Sequence, residues 1–336
     1  MTCKGRNMIV ITASNQHKFQ YRVIIPGSLV IIGMLGILGQ QESFAIDPHG
    51  ITVDSLGNIF TSARQDLIQK YDSNGTIVTS WSETGSEPGQ LDDAHGMAVD
   101  PSDNIYVVDT NNFRVQKFSD EGELITTVGS EGSGDGQFLH PHDVAVDKTS
   151  GNIYVGDYHI PNIQKFDSSG KFILKWGSEG LENGQFRVQE LNSEGPEGIG
   201  VDPSGNVFVA DSGNKRVQKF DSSGKFIKSW GSLGDGEGNF RYPSGLAVDP
   251  SGNVFVSDER TKLIQKFDND GNFITSWGSE EIFDHIHYIE VDSQGFVYVA
   301  NTDGENIKKF DNDGKLIAEF STAGNEDDSE ENGNEN

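Results

Sequence analysis

The 336-residue sequence predicts an all-β fold: six similar units, each a four-stranded antiparallel sheet, arranged around an axis as a six-bladed β-propeller. Three observations carry this. The pattern apolar-x-apolar-Asp recurs at Asp54, Asp100, Asp147, Asp202, Asp249 and Asp292, at spacings of 46, 47, 55, 47 and 43 residues. Each Asp is followed by short β-rich runs separated by turn residues. The 41 glycines concentrate in those turns and in the links between units. A period of 40–50 residues with four short strands is the signature of a propeller blade, because one such sheet cannot bury its faces alone and a ring of them can.

The elements follow in chain order. Residues 1–22 carry Lys4, Arg6, Lys18 and Arg22 and no acid, residues 23–41 carry no charge, and Ser43-Phe44-Ala45 places small residues before a cut after Ala45. A basic start, an apolar run and a small-residue site describe a secretory signal peptide. The run Val23 to Gly39 has 17 residues, about 25 Å as a helix, which also leaves open an uncleaved membrane anchor. Either reading exports the rest of the chain, residues 46–324, as the propeller, with 325–336 as a disordered acidic tail. The single cysteine, Cys3, excludes a disulfide framework. The net charge of −27 disfavours nucleic acid as a partner. Asn74-Gly75-Thr76 is one glycosylation sequon.

Within a unit, the fourth copy is typical. Strand one ends at Asp202 and the turn is Pro203-Ser204-Gly205-Asn206. Strand two is Val207 to Asp211, strand three Arg216 to Phe220, and the second turn Asp221-Ser222-Ser223-Gly224. Strand four ends at Trp230. The second-turn glycine recurs as Gly75, Gly122, Gly170, Gly224, Gly271 and Gly314, where a short hairpin needs a left-handed residue. In the first turn Asp103 replaces glycine once. Features shared by all units are read as scaffold. The strand-end aspartates accept turn hydrogen bonds. The Gln-Lys-Phe stripes (Lys117, Lys165, Lys219, Lys266) put aromatics in and lysines out. Trp81, Trp176, Trp230 and Trp277, with Val128 and Phe320 at the same position, pack between blades. Asp268 to Gly271 and Asp311 to Gly314 start like calcium loops but lack the later glutamate, and sit at plain hairpin positions. The last copy contains its own fourth strand, Leu316 to Phe320, so the ring is expected to close with no strand borrowed from the N-terminus.

These units resemble NHL repeats over residues 48–320, which implies a six-bladed propeller. The segment Pro141-His142-Asp143-Val144-Ala145 through Asp157-Tyr158-His159 resembles part of peptidyl-hydroxyglycine lyase, a propeller of this kind. That resemblance implies zinc held by histidines from alternate blades. His49 and His142 match, whereas blade five has Ser244. The arginine that the lyase places after strand two is matched only by Arg64, which follows Ala63 rather than an aspartate.

The candidate site comes from what differs between copies. The position just before strand one reads His49, His95, His142, Glu197, Ser244 and His287, and these side chains should ring one mouth of the channel. His140, His159 and His285 lie close by. Imidazole suits zinc, copper or iron, so His49, His95, His142 and His287 are candidate ligands. The alternative is that they line a wet channel. Asp157, Tyr158 and His159, with Arg64, are candidates for proton transfer or substrate contact. His140, Arg187, Glu197 and His285 complete the ligand face. The link from Phe186 to Pro196 is about eight residues longer than the others and would form a lip there. The sequence thus points to an exported or surface-anchored, monomeric propeller acting as a rigid interaction module for an extracellular protein, peptide or glycan. It touches the membrane only through residues 23–41 if these are uncleaved. The alternative is a metal-dependent lyase or hydrolase using the histidine mouth, with zinc as cofactor. RNA binding or ubiquitin ligation, known for some intracellular NHL proteins, is disfavoured by the acidity and the missing Cys-rich domain.

Overall fold

The computed structural model describes residues 47–63, 66–187 and 195–322. The expected leader, acidic tail and most of the long link, and with them Arg64, lie outside the described residues. Six sheets of four antiparallel strands follow one another, each made of consecutive strands. The inner strands are Pro48–Val53, Ala94–Val99, Pro141–Val146, Pro196–Val201, Pro243–Val248 and Ile286–Val291. They stand side by side around the axis, and the sixth lies against the first. Blade six takes all four strands from Ile286 to Ser321, so the ring closes without borrowing one. Among the described residues no helix is long and apolar enough to cross a membrane.

The recurrent residues do the scaffold work. Asp202 Oδ1 accepts the backbone N–H groups of Ser204 (2.9 Å) and Asn206 (2.8 Å). Asp103 adopts φ 60°, taking the left-handed place that the other copies give to glycine. Asp268 Oδ1 accepts the N–H groups of Asp270 (2.9 Å) and Asn272 (2.8 Å), an ordinary hairpin.

Two readings need correction. The stripe lysines do not point into solvent: Lys165, Lys219 and Lys266 are buried. Lys219 Nζ lies 5.1 Å from the Phe208 ring centroid and donates to the carbonyl of Asn269 in the next blade (3.1 Å). Adjacent blades cover the stems, so the ammonium groups reach ring faces and turn carbonyls instead of water. The histidine position also lies within strand one rather than before it. The strand starts one residue earlier and contains a bulge: Pro48 pairs with Ala63 and Ile51 with Thr61, leaving His49 and Gly50 opposite Ser62 alone. An extra residue re-aims a side chain at the sheet edge. Here that edge is the channel.

Candidate functional site

The bulge recurs in all six inner strands. Its first residue is His49, His95, His142, Glu197, Ser244 or His287, and all six are buried. The second is glycine in four blades (Gly50, Gly96, Gly198, Gly245), because neighbouring inner strands approach too closely for a side chain. A Cβ on Gly50 would stand 2.1 Å from the His95 carbonyl oxygen. Blades three and six depart from this with Asp143 and Tyr288. The Asp143 carboxylate bonds the N–H of Ile199 in blade four (2.7 Å), and burial pushes its pKa up. Tyr288 reaches across the ring. Its hydroxyl donates to the His142 carbonyl oxygen (2.9 Å) and lies 2.9 Å from His142 Nδ1. Blade six is thereby tied to blade three, on the opposite side, and the tyrosine ring lies among the histidines of the mouth, 4.6 Å from His287, 5.5 Å from His49 and 5.9 Å from His142 between centroids, which together make the cup.

The residue after strand two also divides the blades. In blades two, four and six it is Thr110, Ser212 or Thr302. Each hydroxyl donates to the carbonyl of the proline that opens the next blade, Pro141, Pro243 or Pro48. In blades three and five it is Tyr158, whose ring stacks on His142 at 5.0 Å between centroids, or Glu259, whose carboxylate faces His285.

The rings meet closely. His49 is T-shaped against His95 at 4.5 Å between centroids, and His95 against His142 at 4.5 Å. His287 Nδ1 lies 2.8 Å from His49 Nε2. Above them, His140 stands 4.6 Å from the exposed His159, and His285 Nε2 lies 3.0 Å from Glu259 Oε1. Burial holds the His142 ring well below the usual histidine pKa, and that of His140 at about 4. Both are neutral at pH 7. A hydrogen-bonded chain runs from Tyr158 to Tyr242 (2.8 Å, hydroxyl to hydroxyl) and from Tyr242 to Glu197 Oε1 (2.5 Å).

The structure therefore brings together the seven histidines outside the leader. Asp157 stands apart. Its carboxylate accepts the N–H groups of Leu139 (2.7 Å), His140 (3.2 Å), His159 (3.0 Å) and Ile160 (2.8 Å), which makes it the anchor of these loops. Arg187 is exposed, and its N–H points to Asp211 Oδ1 at 3.5 Å. Sequence reasoning missed Tyr288, Tyr242 and Glu259. For Tyr288 the signal was present: a tyrosine in a column that is glycine in four of six blades.

The four ring histidines do not fit a shared metal. A tetrahedral zinc with bonds of about 2.0–2.1 Å holds its nitrogens about 3.3 Å apart, whereas His49 Nε2 and His287 Nδ1 are at hydrogen-bond distance. His95 Nε2 lies 3.2 Å from Asp93 Oδ1, and His142 Nδ1 is at the Tyr288 hydroxyl. Among the described residues no group of three or more His, Cys, Asp or Glu is arranged to hold a metal ion.

Fold and mouth define a six-bladed propeller with a histidine-lined mouth, and the comparisons agree on the fold. A family model described as a 6-bladed beta-propeller matches residues 98–176. The NHL repeat model matches residues 194–220 and 240–267, so the chain is a six-bladed propeller containing NHL repeats. Virginiamycin B lyase from Staphylococcus aureus is similar in structure, at 11% identity over 83% of this chain and 85% of that one, with a TM-score of 0.56. A gluconolactonase from Xanthomonas campestris is similar at 14% identity, 78% and 85% coverage and a TM-score of 0.56. A chain of a nidogen/laminin complex matches at 16% identity, 73% and 85% coverage and a TM-score of 0.56. At these identities the likeness is one of fold. No curated protein matches the sequence.

Proposed function

We propose that the protein is a rigid binding module that works outside the cell or on its surface, and that the histidine-lined cup is its ligand site. The observation that carries this is the cross-tie. Tyr288 spans the ring and the ring histidines hydrogen-bond to one another and to neighbouring side chains, which holds the polar and aromatic side chains of the mouth in place before any ligand arrives. Such pockets, largely formed before binding, are where ligands are held. The leader of residues 1–45 supports export, and a propeller of this fold occurs in the nidogen/laminin complex. Arrays of extracellular peptides and glycans, probed with the full-length protein and with its Tyr242→Ala and His285→Ala variants, test the reading. Ligands lost by the cup variants and kept by an Asp270→Asn variant on the opposite face are the expected result. A ligand that both cup variants retain overturns it.

An enzymatic reading has one observation of its own, the chain Tyr158–Tyr242–Glu197, which could move a proton along hydrogen bonds. A lyase and a lactonase share the fold. Its test is turnover of a lactone or cyclic ester that Glu197→Gln abolishes.

A further inference from the structure

The cup holds an acceptor with no donor. Glu197 is the one acid among the six ring positions and is only 1% exposed. Its Oε1 takes the Tyr242 hydroxyl, while Oε2 has no hydrogen-bond partner. His287 Nε2 is 3.5 Å from it, beyond the range of a good hydrogen bond. His287 also spends Nδ1 on His49. A buried carboxylate oxygen without a donor is costly, and a group bringing an N–H relieves that cost. Beside it, Glu259 adds a second carboxylate at the rim, about a third exposed, facing His285 (3.0 Å), which lies 3.6 Å from Asp303 as well. Of the basic side chains nearby, Lys215 and Arg260 lie over the Tyr242 ring at 5.1 and 5.7 Å, and the Lys262 charge acts on Glu259. The molecule as a whole is strongly negative, a field that concentrates cations at a low-dielectric cup.

We propose that the cup takes an organic ammonium group, with Glu197 as the buried acceptor and Glu259 as the rim acceptor. This rests on the cup being the binding site and names the chemistry it selects. The ammonium can come from a free polyamine or from a lysine side chain of a peptide, and two probes separate these sources: spermidine and acetyl-Gly-Lys-Gly-amide. Titrations of the full-length protein are followed through the histidine ring protons by NMR and through the dissociation constant by calorimetry. At least one probe shifts the His285 and His287 resonances. Glu259→Gln and Glu197→Gln each weaken it by about tenfold or more, whereas Asp270→Asn, which removes the same charge from the opposite face, changes it less than twofold. Because Glu197 is buried, Glu259→Gln keeps the test valid if Glu197→Gln fails to fold. Equal losses in Glu259→Gln and Asp270→Asn overturn the proposal, since binding then follows net charge. Unmoved histidine resonances also overturn it. If the arrays above yield a cup ligand that lacks an amine and neither probe binds, the ammonium assignment falls and the binding module stands.

Discussion

Burial and the surrounding imidazoles hold His140 at about 4, against 6.5 for a free side chain. Its folded pKa lies below the unfolded one, so the unfolded chain binds the extra proton. His140 therefore costs stability as pH falls from about 6.5 toward 4 and costs nothing extra above that window. Buried carboxylates such as Asp143 titrate in the opposite sense, so the useful quantity is a difference. The melting temperature of the wild type relative to His140→Gln should rise between pH 4.5 and pH 7.5. A difference that is flat with pH would show that His140 keeps an ordinary pKa. The same scale explains what was legible in the sequence. The ring of His49, His95, His142 and His287 could be read because four of the six copies carry histidine at the same place in the repeat. Their partners could not. Whether four imidazoles converge on an ion or bond to one another depends on a few tenths of an ångström and on ring rotations that repeat spacing does not encode. His287 facing His49 joins two residues 238 positions apart.

Along the elements, the fourth strand of each blade ends on the hairpin glycine of the next. A Cβ on Gly122 would meet Trp81 at 2.7 Å, on Gly224 Trp176 at 2.6 Å, and on Gly314 Trp277 at 2.5 Å. Phe320 of blade six does the same to Gly75 of blade one, at 2.0 Å. The glycine is needed twice over, for its positive φ (84° at Gly75) and for the ring that rests on it. Gly75→Ala should therefore cost about 2–4 kcal/mol, measured by urea denaturation. A loss below about 1 kcal/mol, no more than the left-handed backbone alone imposes on a residue with a Cβ, would show that the seam absorbs a methyl group. The tryptophan column was readable because one aromatic per unit at a fixed place has few uses besides packing. The lysine column was misread for a physical reason. Period-two alternation tells which face of a strand a residue is on, but both faces of a blade are covered by other blades. "Out" therefore means the next blade, and Lys219 ends on the carbonyl of Asn269.

At the scale of the whole molecule, the ring closes on itself through a mixed core: Ile51, Val53, Ile59 and Tyr71 of blade one pack with Tyr288, Tyr298, Ala300 and Ile307 of blade six. The Thr302 hydroxyl donates to the Pro48 carbonyl oxygen at 2.8 Å. Six copies and a fourth strand within the last one made this closure legible in advance. The tie through the middle left one mark in the sequence, Tyr288 at a position that is glycine in four blades, but repeat spacing does not say which strand across the ring it reaches. Tyr288→Phe keeps the ring and removes the hydroxyl, leaving the buried His142 carbonyl without its donor. The expected cost is about 1–3 kcal/mol, seen as a lower urea midpoint at unchanged m-value. An unchanged midpoint would mean that the tie carries no stability. The overall charge of −27 sets a further expectation for the ammonium ligand: raising salt from 50 to 500 mM should slow its association, because screening shortens the reach of the field. An association rate indifferent to salt would remove the field from the account.

Propeller rings can gain or lose a repeat, since each blade needs only its neighbours. This one carries its own gauge. Tyr288 spans from blade six to the backbone and ring of His142 in blade three, a distance set by the diameter of a six-membered ring. A duplicated blade would enlarge the circle and carry the hydroxyl away from its acceptors. A lost blade would drive the tyrosine into the opposite strand. A change in repeat number in this lineage would therefore have to be accompanied by a change at position 288, most simply to the glycine that four of the other blades carry.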